Sequence, residues 1–303
     1  MTETKLSQRN TERQKFLKKK QFKTNTIPAI ITVGPIALWL LAFIVIPMIY
    51  VIVISFMSQG DYGYIQYQLT TENYTEMLQP TYLRIFGITI VIAIISTITV
   101  LLISYPIAYF IAKQKGSRGG YMIMLMMIPS WTIGLVRTYS WVRILQNKGI
   151  LNGLLQWLKL IDSPVQFLYN NGAVAFGTIL SLMTFSILPL YSSIEKLDDS
   201  FLEASKDLGA KPFQVLRTVI LPLTSGGIFA SIILTFIPAL GIYIIADIYG
   251  GGKILYLGNL IRNQMLINRN WPFGCALSVL LIGITLLMLF VFTRFYNLED
   301  LEV

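Results

Sequence analysis

The stretch Asp198-Asp199-Ser200-Phe201-Leu202-Glu203-Ala204-Ser205-Lys206-Asp207-Leu208-Gly209-Ala210-Lys211-Pro212, running on to Val219-Ile220-Leu221-Pro222, decides how the rest of the chain is read. It is polar, and long apolar segments flank it on both sides. Its spacing predicts two short helices around a tight turn. Ser200 is expected to cap the first helix while Glu203 reaches back to the Ser200 amide, the reciprocal pairing of a capping box. Gly209 falls at the C′ position, where a residue without a Cβ enters the left-handed region at little cost, and Pro212 suits the first turn of the next helix. The result is a compact knob set between apolar runs.

Outward from the knob the chain is written for a bilayer. Of its 303 residues 54% are hydrophobic and 13% charged, more apolar surface than a soluble domain of this size can hide. About 20 apolar residues span the hydrocarbon as a helix. The fold class that follows is an all-α integral membrane protein with six transmembrane helices. Residues 1–27 form a basic tail and 28–56 the first transmembrane helix, a run too long for a cleaved secretory signal. Residues 57–82 are a polar, tyrosine-rich outer segment. The region 83–296 is the core, with spans near 83–112, 121–145, 172–194, 223–248 and 271–296. Residues 195–222 are its loop, and 297–303 a short tail. Between 146 and 171, Ile150, Leu151, Leu154, Leu155 and Leu158 recur at helical spacing, as expected for an amphipathic helix lying at the outer interface.

The net charge of +9 reports orientation rather than nucleic acid, because Lys and Arg accumulate in short cytoplasmic segments. Tail, first link (Lys113, Lys115, Arg118), knob (Lys196, Lys206, Lys211, Arg217) and Arg294 hold most of the 24 basic residues. Both termini and the knob are therefore expected to be cytoplasmic. The sequence has no histidine, which removes Ser-His hydrolases and His-ligated zinc or haem sites. The lone Cys275 supports neither a disulfide framework nor a multi-cysteine metal site. No Walker A pattern is present, so no catalytic residue and no metal is assigned to this chain. Any ATP must be hydrolysed elsewhere.

Prolines at 35, 47, 106, 129, 189 and 238 lie within the spans; each removes a backbone hydrogen bond and favours a kink. Kinks suit a gated pathway, although proline is also simply commoner in membrane helices than in soluble ones. Charges inside the membrane face a cavity or a partner, because leaving them bare costs a few kcal/mol or more. Arg137 and Asp247 are the two such residues. Tyr243 is expected one helical turn before Asp247 on the same face, and a carboxylate beside an aromatic ring can hold an ammonium. A structural alternative pairs Asp247 with Arg137 or Arg143.

The spacing Glu203, Ala204, Ser205, Gly209, Val219, Leu221 and Pro222 resembles the EAA loop of binding-protein-dependent ABC importer permeases, with Ser205 for Ala and Val219 for Ile as departures of similar volume. Further stretches resemble the permease subunit of spermidine/putrescine importers: Ile128-Pro129-Ser130-Trp131, Val136-Arg137-Thr138-Tyr139-Ser140-Trp141, Asp247-Ile248-Tyr249-Gly250-Gly251, Gly258-Asn259-Leu260-Ile261 and Trp271-Pro272-Phe273-Gly274. The resemblance implies the type I (MetI-like) permease architecture in a prokaryotic plasma membrane. It implies an alternating-access pore made with a second homologous permease, two ABC ATPase subunits that bind ATP and Mg, and an extracellular or periplasmic binding protein. Glu203, Ala204, Ser205, Gly209, Leu221 and Pro222 are then the ATPase-coupling residues. Asp247, Tyr243, Trp131 and Arg137 are the candidate substrate pathway. The same scaffold imports iron, thiamine and other small solutes, and an ion-driven secondary transporter is the alternative from outside the family.

Overall fold

The computed structural model describes residues 32–60, 63–114 and 116–295. The tail expected at 1–27, the first residues of the first span and the tail at 297–303 lie outside the described residues.

A first unit ends at Ile54 and comprises most of helix α1, Thr32–Ser55, with a mean hydropathy of 2.8 over its most apolar window. Its i→i+5 turn at Leu41–Val45 runs directly into Pro47. Proline has no N–H to donate, so the wider turn absorbs the missing bond without ending the helix. The same solution recurs at Leu216–Ile220, just before Pro222.

The second unit starts at Ser55. It opens with a feature absent from the expected outer segment, an antiparallel hairpin of β1 (Met57–Gln59) and β2 (Ile65–Leu69), with Ser58 opposite Gln66 and Gln59 opposite Ile65. Short helix α2 (Glu72–Glu76) follows. Its buried Asn73 donates through Nδ2 to the carbonyls of Ser55 (3.0 Å) and Met57 (2.8 Å), which fixes the approach to the hairpin.

Three helices make the centre of this unit: α3 (Pro80–Ala112), α7 (Asn171–Glu195) and α10 (Ser225–Gly241). Small residues let them approach closely, the rule for helices packed in lipid, where apolar burial alone gives no advantage over the acyl chains. On α3 the buried positions Ala93, Ser96, Val100, Ser104 and Ala108 repeat every three or four residues. The Ser186 hydroxyl of α7 meets that of Ser231 on α10 at 2.5 Å, and the Tyr105 hydroxyl meets Thr224 at 2.8 Å. Gly227 is a point of close approach, since a Cβ there would stand 2.4 Å from Ser193 Cβ and 2.7 Å from the Pro189 carbonyl oxygen.

Two expected spans are broken. The third divides into α4 (Arg118–Trp131) and α5 (Gly134–Leu145), and the direction turns by 85° between Arg118–Trp131 and Gly134–Trp157. Here α6 (Ile150–Trp157) is the helical part of the expected interfacial segment. Its buried Asn152 exchanges two bonds with the Val165 backbone, 2.9 and 2.8 Å, and closes the loop beyond it. The fifth span begins at Ser225, not Leu223, and stops at Gly241: Ile242 is extended and α11 (Ile244–Gly250) starts afresh. Then come α12 (Leu257–Arg262) and the closing helix α13 (Trp271–Phe295). Among the described residues four helices are long and apolar enough alone to cross a membrane, and up to six spans result if the bent pairs Arg118–Trp131 with Gly134–Trp157 and Pro212–Leu223 with Ser225–Gly241 each count as one.

The knob is α8 (Asp199–Asp207) followed by Pro212–Leu223, here α9, which meets α10 at 70°. Its cap is Asp198, not Ser200. Asp198 is extended and its Oδ1 accepts from the Ser200 amide at 2.9 Å, while Ser200 is already inside the helix. This bond to the Ser200 amide holds the Asp198 carboxyl below its usual value of 3.8. Gly209 is left-handed at φ +77°. Its amide reaches the Lys206 carbonyl at 2.8 Å and the Ala210 amide that of Ser205 at 3.1 Å, the paired bonds of a Schellman turn.

A Gly227→Val substitution is expected to lower the thermal midpoint of the purified chain by overpacking α7 against α10, a cost of about 1–3 kcal/mol. In the knob, Asp198→Ala is expected to speed amide exchange at Ser200–Leu208 by about fivefold, Asp198→Asn far less and Ser200→Ala hardly at all. Because the folded carboxyl titrates below 3.8, its capping contribution is complete above that pH and is lost as pH falls through the lower folded value. Exchange measured from pH 6 down to pH 3 checks the sign.

Candidate functional site

The knob presents apolar side chains outward. Phe201, Leu208 and Phe213 are all exposed, Leu208 most of all at 88%. Glu203 and Ala204 are exposed as well, whereas Ser205 is buried and its hydroxyl donates to the Phe201 carbonyl at 2.6 Å. A serine in place of alanine is thus satisfied within its own helix. The Lys113 ammonium at the end of α3 is ion-paired with Asp199 in the first turn of α8, tying the knob to a central helix. Leu221 is half-buried; Pro222 and Leu223 border a cavity of about 730 Å³ beneath the knob, together with Lys196 and Phe201.

One length of α10 away, about 25 Å at 1.5 Å per residue, the two helix breaks face each other. A cavity of about 670 Å³ lies between them, lined by Ile133, Gly134 and Thr138 from one break, Gly241 to Ile245 from the other, and Ser181 of α7. Its walls are mostly apolar side chains. Non-helical backbone at membrane depth is tolerated where it lines such a space or is satisfied by other groups. At the first break the Arg137 Nη1 donates back to the Pro129 carbonyl at 3.4 Å. At the second, the wholly buried Asn259 donates through Nδ2 to the Tyr243 carbonyl at 3.0 Å. Gly258 permits this arrangement, because a Cβ there would stand 2.6 Å from the Gly241 carbonyl oxygen.

Asn259 has a second role. The same Nδ2 reaches Asp247 Oδ1 at 2.5 Å, and the other carboxylate oxygen is paired with Arg262 Nη1. The Arg262 guanidinium also lies over the Tyr243 ring, 5.9 Å from its centroid. Asp247 is therefore paired with Arg262, which replaces the expected alternatives Arg137 and Arg143. Tyr243 and Asp247 do meet, but across the start of α11, with the Asp247 amide on the Tyr243 carbonyl at 2.9 Å.

The four expected pathway residues are thus dispersed. Tyr243 lines the cavity, Asp247 stands behind it in a polar cluster, Arg137 folds back over its own helix break, and Trp131 ends α4 at 71% exposure. Sequence reasoning missed Asn259 and Arg262 as partners of Asp247. The nearest signal is Asn259, alone among apolar neighbours in Leu257–Ile261, with Arg262 directly after it.

Residues 104–300 match the model of the binding-protein-dependent transport system inner membrane component. The chain is 40% identical over 273 residues to the spermidine/putrescine transport system permease protein PotB of Haemophilus influenzae, covering 90% of this chain and 96% of the relative. It is 38% identical over 265 residues to the protein of the same description from Escherichia coli, covering 88% and 96%. Its fold is similar to that of a chain in a bacterial ABC transporter involved in the import of the acidic polysaccharide alginate, with a TM-score of 0.68 at 16% identity over 91% of this chain and 96% of the other. A family model that covers most of the transmembrane core, joined to the EAA-like knob and an importer-permease fold, means that the chain belongs to the inner-membrane components of binding-protein-dependent transport systems.

Proposed function

We propose that this chain is the transmembrane permease subunit of an ATP-driven importer of polyamines, spermidine and putrescine above all. Its 38–40% identity to spermidine/putrescine permeases over nearly the whole chain carries this reading. A second, homologous permease completes the pore. Two ABC ATPase subunits bind ATP and Mg on the face that carries the knob, and a periplasmic binding protein delivers substrate on the other. The positive-inside distribution supports a cytoplasmic knob and cytoplasmic termini.

The knob supports an ATPase-coupling role for Glu203, Ala204, Ser205, Gly209, Leu221 and Pro222. Its exposed Phe201, Leu208 and Phe213 give it an apolar docking face, and its Schellman turn makes it rigid enough to pass on a push. The Lys113–Asp199 pair and the short step from α9 into α10 carry that push to the central helices. The cavity between the two helix breaks supports a pathway at the far end of α10, with Tyr243 in its wall.

Vesicles carrying this chain with its partner subunits and binding protein are expected to take up labelled spermidine and putrescine only with ATP. Uptake of neither, with ATPase stimulation by binding proteins loaded with iron or thiamine instead, removes the polyamine assignment and keeps the permease. In the same vesicles Gly209→Val forces a β-branched residue to φ +77°, a strain of about 1–2 kcal/mol in a turn with little other support. It is expected to lower uptake by about tenfold while ATP hydrolysis continues; normal coupled uptake would remove the knob from the mechanism.

A further inference from the structure

Arg262 makes, with its own guanidinium, both contacts that an ammonium ion would seek at this place, the Asp247 carboxylate and the face of Tyr243. We infer that Arg262 is a tethered counter-cation of Asp247 that an ammonium group of the permeating polyamine displaces, which makes it a specificity-determining residue of the pathway. The inference rests on the polyamine reading above.

Several observations support an exchangeable pair rather than a fixed staple. The two side chains keep 33% and 27% of their exposure, so an arriving cation reaches them without unfolding the site. Tyr243 is shared, since it lines the 670 Å³ cavity and also carries Arg262 over its ring. A cation in the cavity meets the ring before the carboxylate. Arg262 has a second holder, because its Nε and Nη2 reach Asn263 Oδ1 at 3.3 and 3.0 Å. The guanidinium can leave Asp247 and stay hydrogen-bonded. Asn259, buried and anchored on the Tyr243 carbonyl, keeps the carboxylate aimed while the cations change places.

The exchange also answers an electrostatic problem. A bare carboxylate in a low-dielectric pore is costly when the pore is empty and holds a cation too tightly when it is full. The Arg262 guanidinium is a fixed cation on the chain, so it opposes the Asp247 carboxylate until another cation replaces it. Neutral and anionic solutes cannot make that replacement.

The test uses the complete importer in vesicles with saturating binding protein loaded with labelled spermidine. Uptake and the label retained on the vanadate-arrested complex are measured for Arg262→Gln, Asp247→Asn and the double variant, with assembly followed by size exclusion. Arg262→Gln leaves the carboxylate unopposed and is expected to raise retained label by about tenfold while slowing uptake. Asp247→Asn leaves an unpaired cation in the path and is expected to lower both by about tenfold. The double variant, neutral again, is expected to recover uptake over Asp247→Asn but not the retention. Wild-type retention and uptake in Arg262→Gln overturn the inference, and so does loss of assembly in both single variants with full recovery in the double, the behaviour of a structural staple. If the wild-type complex carries neither polyamine, the reading beneath falls and takes the inference with it.

Discussion

Backbone carbonyls freed where a helix breaks must find a donor inside the protein, because hydrocarbon offers none. Among the described residues two spans break, at Thr132–Ile133 and at Ile242–Tyr243, and the carbonyls beside these breaks draw side-chain donors in addition to backbone ones. The Pro129 carbonyl takes both the Thr132 amide and Arg137 Nη1 at one break, and the Tyr243 carbonyl takes both the Asp247 amide and Asn259 Nδ2 at the other. Neither donor serves only as a plug. Arg137 brings a charge to the rim of the first break, and Asn259 also grips Asp247. Polar side chains are thus gathered at the two breaks, beside the cavity.

Buried asparagine is the recurring tool. Asn73, Asn152 and Asn259 each tie a short helix to backbone outside it, and all three donate to backbone carbonyls. An amide suits this work because it carries both donors and an acceptor without a charge that would need neutralising. The central helices use a different economy. Ser186 with Ser231, Tyr105 with Thr224 and the bare backbone at Gly227 hold α3, α7 and α10 together by close approach and hydroxyl bonds. A rigid three-helix centre and adaptable broken segments around it are therefore built from different residue types.

Much of this was legible in the chain, and the failures have physical reasons. Apolar runs located the spans because length and hydropathy are strong constraints, and Gly209 announced its left-handed turn because few other residues adopt one cheaply. The cap was misassigned by two residues, since Asp198, Asp199 and Ser200 are all good capping types and only the extended backbone at Asp198 chooses among them. Pro129 and Pro238, within one turn of the two breaks, signal kinks in continuous spans, and nothing in the sequence distinguishes a kink from the full break at Thr132-Ile133 or Ile242-Tyr243. The Asp247–Arg262 pair escaped because its members lie in different short helices joined by glycine-rich chain, where no periodicity brings them to one face. The hairpin at 57–69 is short, polar on one side and interrupted by glycine, so it carries little alternating signal.

The two ends of α10 explain why these pieces belong to one device. Its first residues follow a 70° bend out of the knob, and its last residues end in the second break. Between them Gly227, Ser231 and Thr235 are buried against neighbouring helices, so α10 cannot slide or bend freely along its middle. A packed helix of this kind moves as a body, because interdigitated side chains resist continuous deformation. Under the proposed coupling, motion imposed at the knob reaches the far end of α10 at Gly241 and Ile242, where the helix stops and Tyr243 borders the cavity. On that proposal the break is both a point where the backbone leaves helical geometry and the hinge at which a distant push changes the shape of the cavity wall.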